Sequence, residues 1–133
     1  MTDLSRTLAL SASGMQAQST RLRHVSENLA NADTPGYRRK SIPFEPARLQ
    51  GDGWAQASGV RAGALALDQR ELPRIYDPGH ILADESGHYD GSNVDLMIEM
   101  ADAREAQRSY EANLRMFDQA RQMSQSLIGL LRR

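Results

Sequence analysis

The sequence predicts a mainly α fold: long N- and C-terminal helices packed as an antiparallel, coiled-coil-like pair, with a small β-and-loop insert between them. Three observations predict it. Apolar residues recur at heptad spacing near both ends, and glycine and proline crowd the stretch from Pro35 to Gly91. Aromatic residues make up only 5% of the 133, so a large compact core would have to come from a modest supply of aliphatic side chains.

The first helix is expected over about 3–31. Leu8, Met15, Leu22 and Leu29 recur every seven residues, and Leu4 and Val25 fall in the companion row. Ser11 and Gln18 occupy that companion row where apolar residues are expected, so the seam reads as incomplete. From Thr7 to Thr20 no residue is charged, on any face of nearly four turns. A helix lying free in water carries charges on its outer face, so this one is expected to be covered by neighbours.

The helix ends in Asn28-Leu29-Ala30-Asn31-Ala32-Asp33-Thr34-Pro35-Gly36-Tyr37. Proline at 35 biases Thr34 away from helical geometry, Asn31 suits a left-handed C-cap, and Pro35-Gly36 suits the centre of a type II turn. The insert then carries short strands, expected near Arg38–Phe44 and Leu72–Tyr76, and a mobile loop from Gln50 to Gly59 that contains Trp54. Tyr37-Arg38-Arg39-Lys40 reads as a solvated turn or subunit contact, being too short for a nucleic-acid surface.

The second helix is expected over about 93–131. Ser92 or Asn93 would cap it, Asp95 and Glu99 would favour the positive end of its dipole, and Arg132 and Arg133 would suit the other end. Met100, Ala103, Tyr110, Leu114, Phe117, Ile128 and Leu131 follow heptad spacing, broken by Gln107, Arg121 and Ser124. Glu111 with Arg115 and Glu105 with Arg108 are spaced for pairing along the helix. The chain thus divides into 1–32, 33–92 and 93–133, the outer two forming one discontinuous core.

Several function classes fall away. The formal net charge is -1, from 16 basic and 17 acidic residues, which supplies no field for nucleic acid or an anionic membrane. With 0 cysteines there is no disulfide, thiolate metal site or cysteine nucleophile. No nucleophile elbow or phosphate loop is present, and His80, Asp84, His88 and Asp90 lack the spacing of a metal site, so no catalytic, cofactor-binding or metal residues are expected. No run is apolar enough to cross a membrane, and the N-terminus lacks the basic, then apolar, order of a cleaved signal.

The segment Ala30-Asn31 to Thr34-Pro35-Gly36-Tyr37, with Ser13-Gly14-Met15-Gln16-Ala17-Gln18 and Val25-Ser26-Glu27-Asn28 before it, resembles the signature of the bacterial flagellar rod and hook family. Asn93-Val94-Asp95, Glu99-Met100 and Arg108-Ser109-Tyr110-Glu111-Ala112-Asn113 resemble the family's C-terminal signature. Ile75-Tyr76-Asp77-Pro78-Gly79-His80 and Ala83-Asp84-Glu85-Ser86-Gly87-His88 are similar to its proximal-rod branch, whereas the direct step from Pro35-Gly36 to Tyr37-Arg38-Arg39-Lys40 is closer to the sister subunit FlgB. The resemblance implies a non-enzymatic subunit of the periplasmic, torque-transmitting rod, exported uncleaved through the flagellar type III apparatus. It implies as partners the rod proteins FlgB, FlgF and FlgG, the FliE adaptor and copies of the chain itself, with no cofactor. Its motif residues here are Asn28, Asn31, Thr34, Pro35, Gly36, Tyr37, Tyr110, Glu111 and Asn113. The expected assembly interface is Leu4, Leu8, Met15, Leu22, Val25, Leu29, Met100, Tyr110, Leu114, Phe117, Ile128 and Leu131. FlgB itself and a cytoplasmic coiled-coil binding module or chaperone are the alternatives.

Overall fold

A computed structural model describes residues 3–48 and 58–132. Helix α1 spans Asp3–Ala30 and helix α2 spans Leu96–Leu131, and they pack against each other along most of α1. Between them lie six short strands: β1 (Lys40–Ser41), β2 (Phe44–Arg48), β3 (Ser58–Ala62), β4 (Ala66–Leu67), β5 (Arg74–Tyr76) and β6 (His88–Asp90). They form three separate two-stranded antiparallel ladders, β1 with β4, β2 with β3 and β5 with β6. The expected fold class, two long packed helices with a small strand insert, is what the chain adopts.

The two helices run antiparallel, as their side-chain partners show: Asn28 meets Glu99, Arg21 meets Asp102 and Glu105, and Gly14 faces Asn113. The heptad period expected from the sequence is present, but one row on each helix is displaced by one residue. On α1 the row containing Ser11, Gln18 and Val25 does face α2. Its companion is Gly14, Arg21 and Asn28 rather than Met15, Leu22 and Leu29. On α2 the buried row is Glu99, Ala106 and Ala120, with Asn113 between them, rather than Met100 and Leu114.

The reason is size. Small side chains let two helix backbones approach closely, while leucine and methionine hold them apart. Ser11, Gly14, Ala106 and Ala120 are all buried in this seam. The residues that looked like interruptions therefore build the contact, and most of the large apolar side chains stand beside it or outside it. At Gly14 an added Cβ would lie 2.6 Å from Asn113 Oδ1, so this crossing tolerates only glycine while Asn113 stays in place. Gly14→Val is expected to cost about 1–3 kcal/mol by overpacking. Gly14→Ala in an Asn113→Ala background is expected to be neutral or stabilising, because the contact is gone and alanine favours a helix interior by about 1 kcal/mol. Urea denaturation of the two variants checks both.

Local chemistry departs from expectation in three places. The N-cap of α2 is Asp95, whose carboxylate accepts from the Met97 and Ile98 amides at 2.9 and 3.4 Å, so the helix starts later than Ser92 or Asn93. Asn31 is not left-handed, since no non-glycine residue described has positive φ. Its side chain instead donates to the Glu27 carbonyl at 2.8 Å and accepts from the Thr34 hydroxyl at 3.0 Å. The turn at Pro35-Gly36 is as expected: Gly36 has φ 74, and the Tyr37 amide donates to the Thr34 carbonyl at 3.2 Å.

The strand expected over 38–44 divides at Ile42-Pro43 into β1 and β2, because proline donates no hydrogen bond to a ladder. The strand expected over 72–76 is β5, from Arg74. Strands β3, β4 and β6 are short and lack the alternation that marks a strand in sequence. Hairpin β2/β3 pairs Phe44 with Ala62 through to Arg48 with Ser58 and lies along α1, where the Val60 amide donates to Ser13 Oγ at 3.2 Å. Trp54 and most of the expected 50–59 loop lie outside the described residues. No described helix is long and apolar enough to cross a membrane.

Candidate assembly surface and the polar joint beneath it

At the exit of α1 the chain doubles back, and the reversal is held by a buried polar joint. Asn28 is 0% exposed and uses its amide fully. Its Nδ2 donates to the Lys40 carbonyl at 2.8 Å and to Glu99 Oε2 at 3.2 Å. Its Oδ1 accepts from the Lys40 amide and the Tyr37 hydroxyl, both at 2.9 Å. One side chain thus acts as a strand partner for Lys40 while tying α1 to α2 and to the turn.

Glu99 is also 0% exposed, a buried carboxylate that needs a cation. Arg39 provides it, donating through Nε to Glu99 Oε1 and through Nη2 to Asp102 Oδ2 at 2.7 Å. Arg21 reaches Asp102 from α1 at 3.2 Å, and Asn93 accepts from the Arg39 amide at 2.7 Å. Arg38 donates to the Asp68 and Arg70 carbonyls, each at 3.0 Å. The basic run at 38–40 is therefore internal bracing rather than a solvated turn. Burial raises the Tyr37 phenol above its ordinary pKa, consistent with a hydroxyl committed to Asn28.

Sequence reasoning placed Asn28, Thr34, Pro35, Gly36 and Tyr37 in a motif but missed Arg21, Arg39, Asn93, Glu99 and Asp102 as its partners. Glu99 was assigned to the helix dipole. The available signal was its place in the seven-residue row with Ala106, Asn113 and Ala120, where a carboxylate must be buried and paired. Of the pairs expected along α2, Glu105 with Arg108 is replaced, since Glu105 turns to Arg21 at 3.5 Å.

Three carboxylates brace the insert. The Lys40 ammonium, 2.8 Å away, holds Glu27 below its usual range, and Arg70 does the same for Asp68. The Ser86 hydroxyl, followed by Arg74, depresses Asp84 furthest. A carboxylate depressed in the folded state contributes stability above its unfolded pKa and loses it as pH falls through the folded value. The insert is therefore expected to keep constant amide protection at neutral pH, to begin losing it near about pH 4, the ordinary carboxylate range, and to lose it progressively as pH falls further toward the depressed folded values. Hydrogen exchange at residues 84–88, corrected for the intrinsic rate and followed downward from pH 7 through the carboxylate range, measures this.

His80, His88, Asp84 and Asp90 do not converge. His80 stacks on Tyr89 with ring centroids 3.9 Å apart, His88 Nδ1 lies 3.0 Å from Ser86 Oγ, and Arg74 engages both aspartates. Among the described residues no group of three or more His, Cys, Asp or Glu side chains is placed to hold a metal ion.

The residues expected at an assembly interface divide by burial. Val25 is buried; Leu4, Leu8, Met15, Leu22, Leu29, Tyr110 and Phe117 are half-buried; Met100, Leu114, Ile128 and Leu131 are exposed. Of the motif residues on α2, Tyr110 and Asn113 are half-buried and Glu111 is exposed. Because Asn28 pairs with Glu99 and Gly14 with Asn113, the described start of α1 lies opposite about Ser124. Beyond it α2 carries Leu127, Ile128, Leu130 and Leu131 with no helix against them among the described residues, Leu131 being 87% exposed. Met97 and Leu96 are bare at the other end of the same helix. Among the described residues this apolar surface is left uncovered.

Comparison with known proteins gives matches at both ends of the chain. Residues 8–38 match the family model for flagella basal body rod protein, and residues 85–130 match that for the flagellar basal body rod FlgEFG protein C-terminal region. The two matches fall on α1 with its turn and on α2 with the strand before it. The chain is 44% identical to the flagellar basal-body rod protein FlgC of Agrobacterium fabrum, covering 99% of this chain and 98% of that one. It is 32% identical to FlgC of Salmonella typhimurium, covering 86% and 87%, and 33% identical to FlgC of Bacillus subtilis, covering 80% and 84%.

Proposed function

The chain belongs to the FlgC group of the flagellar basal-body rod proteins, and from that premise we propose how it assembles and works. It is a structural rod subunit of the bacterial flagellum, and its relatives are named as such rather than as enzymes. These relatives give the FlgB and cytoplasmic chaperone readings no support.

The reading for this chain is a non-enzymatic building block of the periplasmic rod, exported without a cleaved signal through the type III apparatus. Residues 1–32 and 93–133 act as one discontinuous core domain, and 33–92 is the insert that makes lateral contacts. Copies of itself, FlgB, FlgF, FlgG and the FliE adaptor are the neighbours. One observation carries it: small and polar residues pair the helices within the chain, leaving the large apolar side chains of α2 outward. Such a subunit is held together by its joint and completed by its lattice, in which contacts between unlike patches extend as a helix.

A tagged chain expressed in a motile host tests the reading by fractionation. Recovery in purified basal bodies is expected. Recovery only in cytosol would overturn it.

A further inference from the structure

The seam between the helices repeats every seven residues on both sides. On α1 one row runs Thr7, Gly14, Arg21, Asn28, and on α2 the buried row runs Glu99, Ala106, Asn113, Ala120. Gly14 faces Asn113, so the same spacing sets Thr7 opposite Ala120. A slide of α2 by one repeat, about 10 Å, would set Gly14 against Ala106 or Ala120 instead. Alanine is smaller than asparagine and keeps the backbones close, so packing alone accepts three registers.

The insert does not choose among them. Strands β1 and β3 pack on α1, and among the described residues no strand packs comparably on α2. Gly91 to Asp95, which lead into α2, belong to no helix or strand, so no ladder fixes the height at which the helix enters. The polar joint does fix it. Glu99 accepts from Asn28 and Arg39, and Asp102 accepts from Arg39 and Arg21. Asn93 accepts from the Arg39 amide at 2.7 Å, while its own amide donates to the Tyr37 carbonyl at 3.3 Å. Off register these bonds are lost. One repeat one way carries Glu99 past the end of α1, and one repeat the other way leaves Asn28 facing Ser92, before α2 begins. Buried polar groups stripped of partners are costly, which is how such groups fix alignment in paired helices.

We propose that the joint of Asn28, Arg39, Asn93, Glu99 and Asp102 is a register key, selecting one of the three alignments of α1 and α2 that the seam accepts. The alignment sets how much of α2 is left bare. In the selected register the described start of α1 lies opposite about Ser124, and one repeat further would draw it over Leu127, Ile128 and Leu131. The key thereby sets the height at which α2 presents its free end to neighbours, a consequence that rests on the assembly reading above.

Because the chain holds 0 cysteines, introduced disulfides can report the alignment. Thr7→Cys is combined in turn with Ala120→Cys, Asn113→Cys and Leu127→Cys, and the purified, dilute chain is mildly oxidised. Closure is read as loss of free thiol in the monomer fraction. With the joint intact, only the pair with Ala120→Cys is expected to close. Glu99→Ala/Asp102→Ala opens the joint from α2, and Asn28→Ala/Arg39→Ala opens it from the other side. Each is expected to raise closure of a pair with Asn113→Cys or Leu127→Cys at least about tenfold. If neither variant closes an off-register pair, whether the Ala120→Cys pair survives or all three are lost, the proposal fails, because the joint then only holds the fold together. Comparable closure of all three pairs in the parent sinks it too. Failure of the unaltered tagged chain to enter basal bodies strikes the assembly reading instead and leaves the disulfide pattern of the isolated chain unchanged.

Discussion

Asn28→Ala is expected to destabilise the subunit by about 3–5 kcal/mol, the largest loss from any single truncation at the joint. The side chain itself is modest in size, and the cost comes from what it leaves behind. Both backbone groups of Lys40 lose the strand-like partner that Asn28 provides, the Tyr37 hydroxyl loses its acceptor, and Glu99 loses the amide that shares its charge with Arg39. Buried groups left unpaired each cost about 1–3 kcal/mol, and more when charged, with partial recovery if water enters. Tyr37→Phe is the control: it removes one of four bonds at Asn28 and should cost only about 1 kcal/mol. Guanidinium denaturation of the two variants checks the order. If Asn28→Ala falls within 1 kcal/mol of Tyr37→Phe, the joint does not act as a unit.

How much of this was legible depends on the physics of each part. The helices were, because seven-residue recurrence and the absence of breakers are local properties of the chain. Their seam was legible in period and wrong in phase. Large apolar residues were expected at the contact, as in a coiled-coil-like pair, but Ser11, Gly14, Ala106 and Ala120 form it instead. A sequence rule that ranks residues by hydrophobicity cannot see a contact whose advantage is close approach. The turn at Pro35-Gly36 was legible because proline and glycine fix backbone angles by themselves. The joint was not, since Arg39 and Glu99 are 60 positions apart and nothing in either neighbourhood names the other. Only the coincidence of a carboxylate with a row of buried small residues hinted at it. The lone motif residues gained their meaning once their partners were known: Asn28 recurs in no catalytic pattern, yet every atom of its amide is used.

The second large effect separates folding from assembly. Ile128→Asp/Leu131→Asp is expected to leave the monomer within about 0.5 kcal/mol of the parent, because both side chains lie on the stretch of α2 that no described residue of α1 covers. In the rod the same two positions meet neighbours. Burying an Ile or Leu there is worth about 1.5–3 kcal/mol each, and a carboxylate in its place adds the penalty of losing water. Together the changes are expected to weaken subunit addition by a factor of about 10² to 10⁴ and to abolish swimming in a strain that depends on this chain. Phe117→Asp provides the contrast: half-buried beside the helix seam, it should lower both monomer stability and incorporation. Melting curves and basal-body yield, measured on the same variants, place each residue on one side of the division. A motile Ile128→Asp/Leu131→Asp strain would mean that the free end of α2 stays bare in the assembled rod, and that the subunit is held by its insert instead.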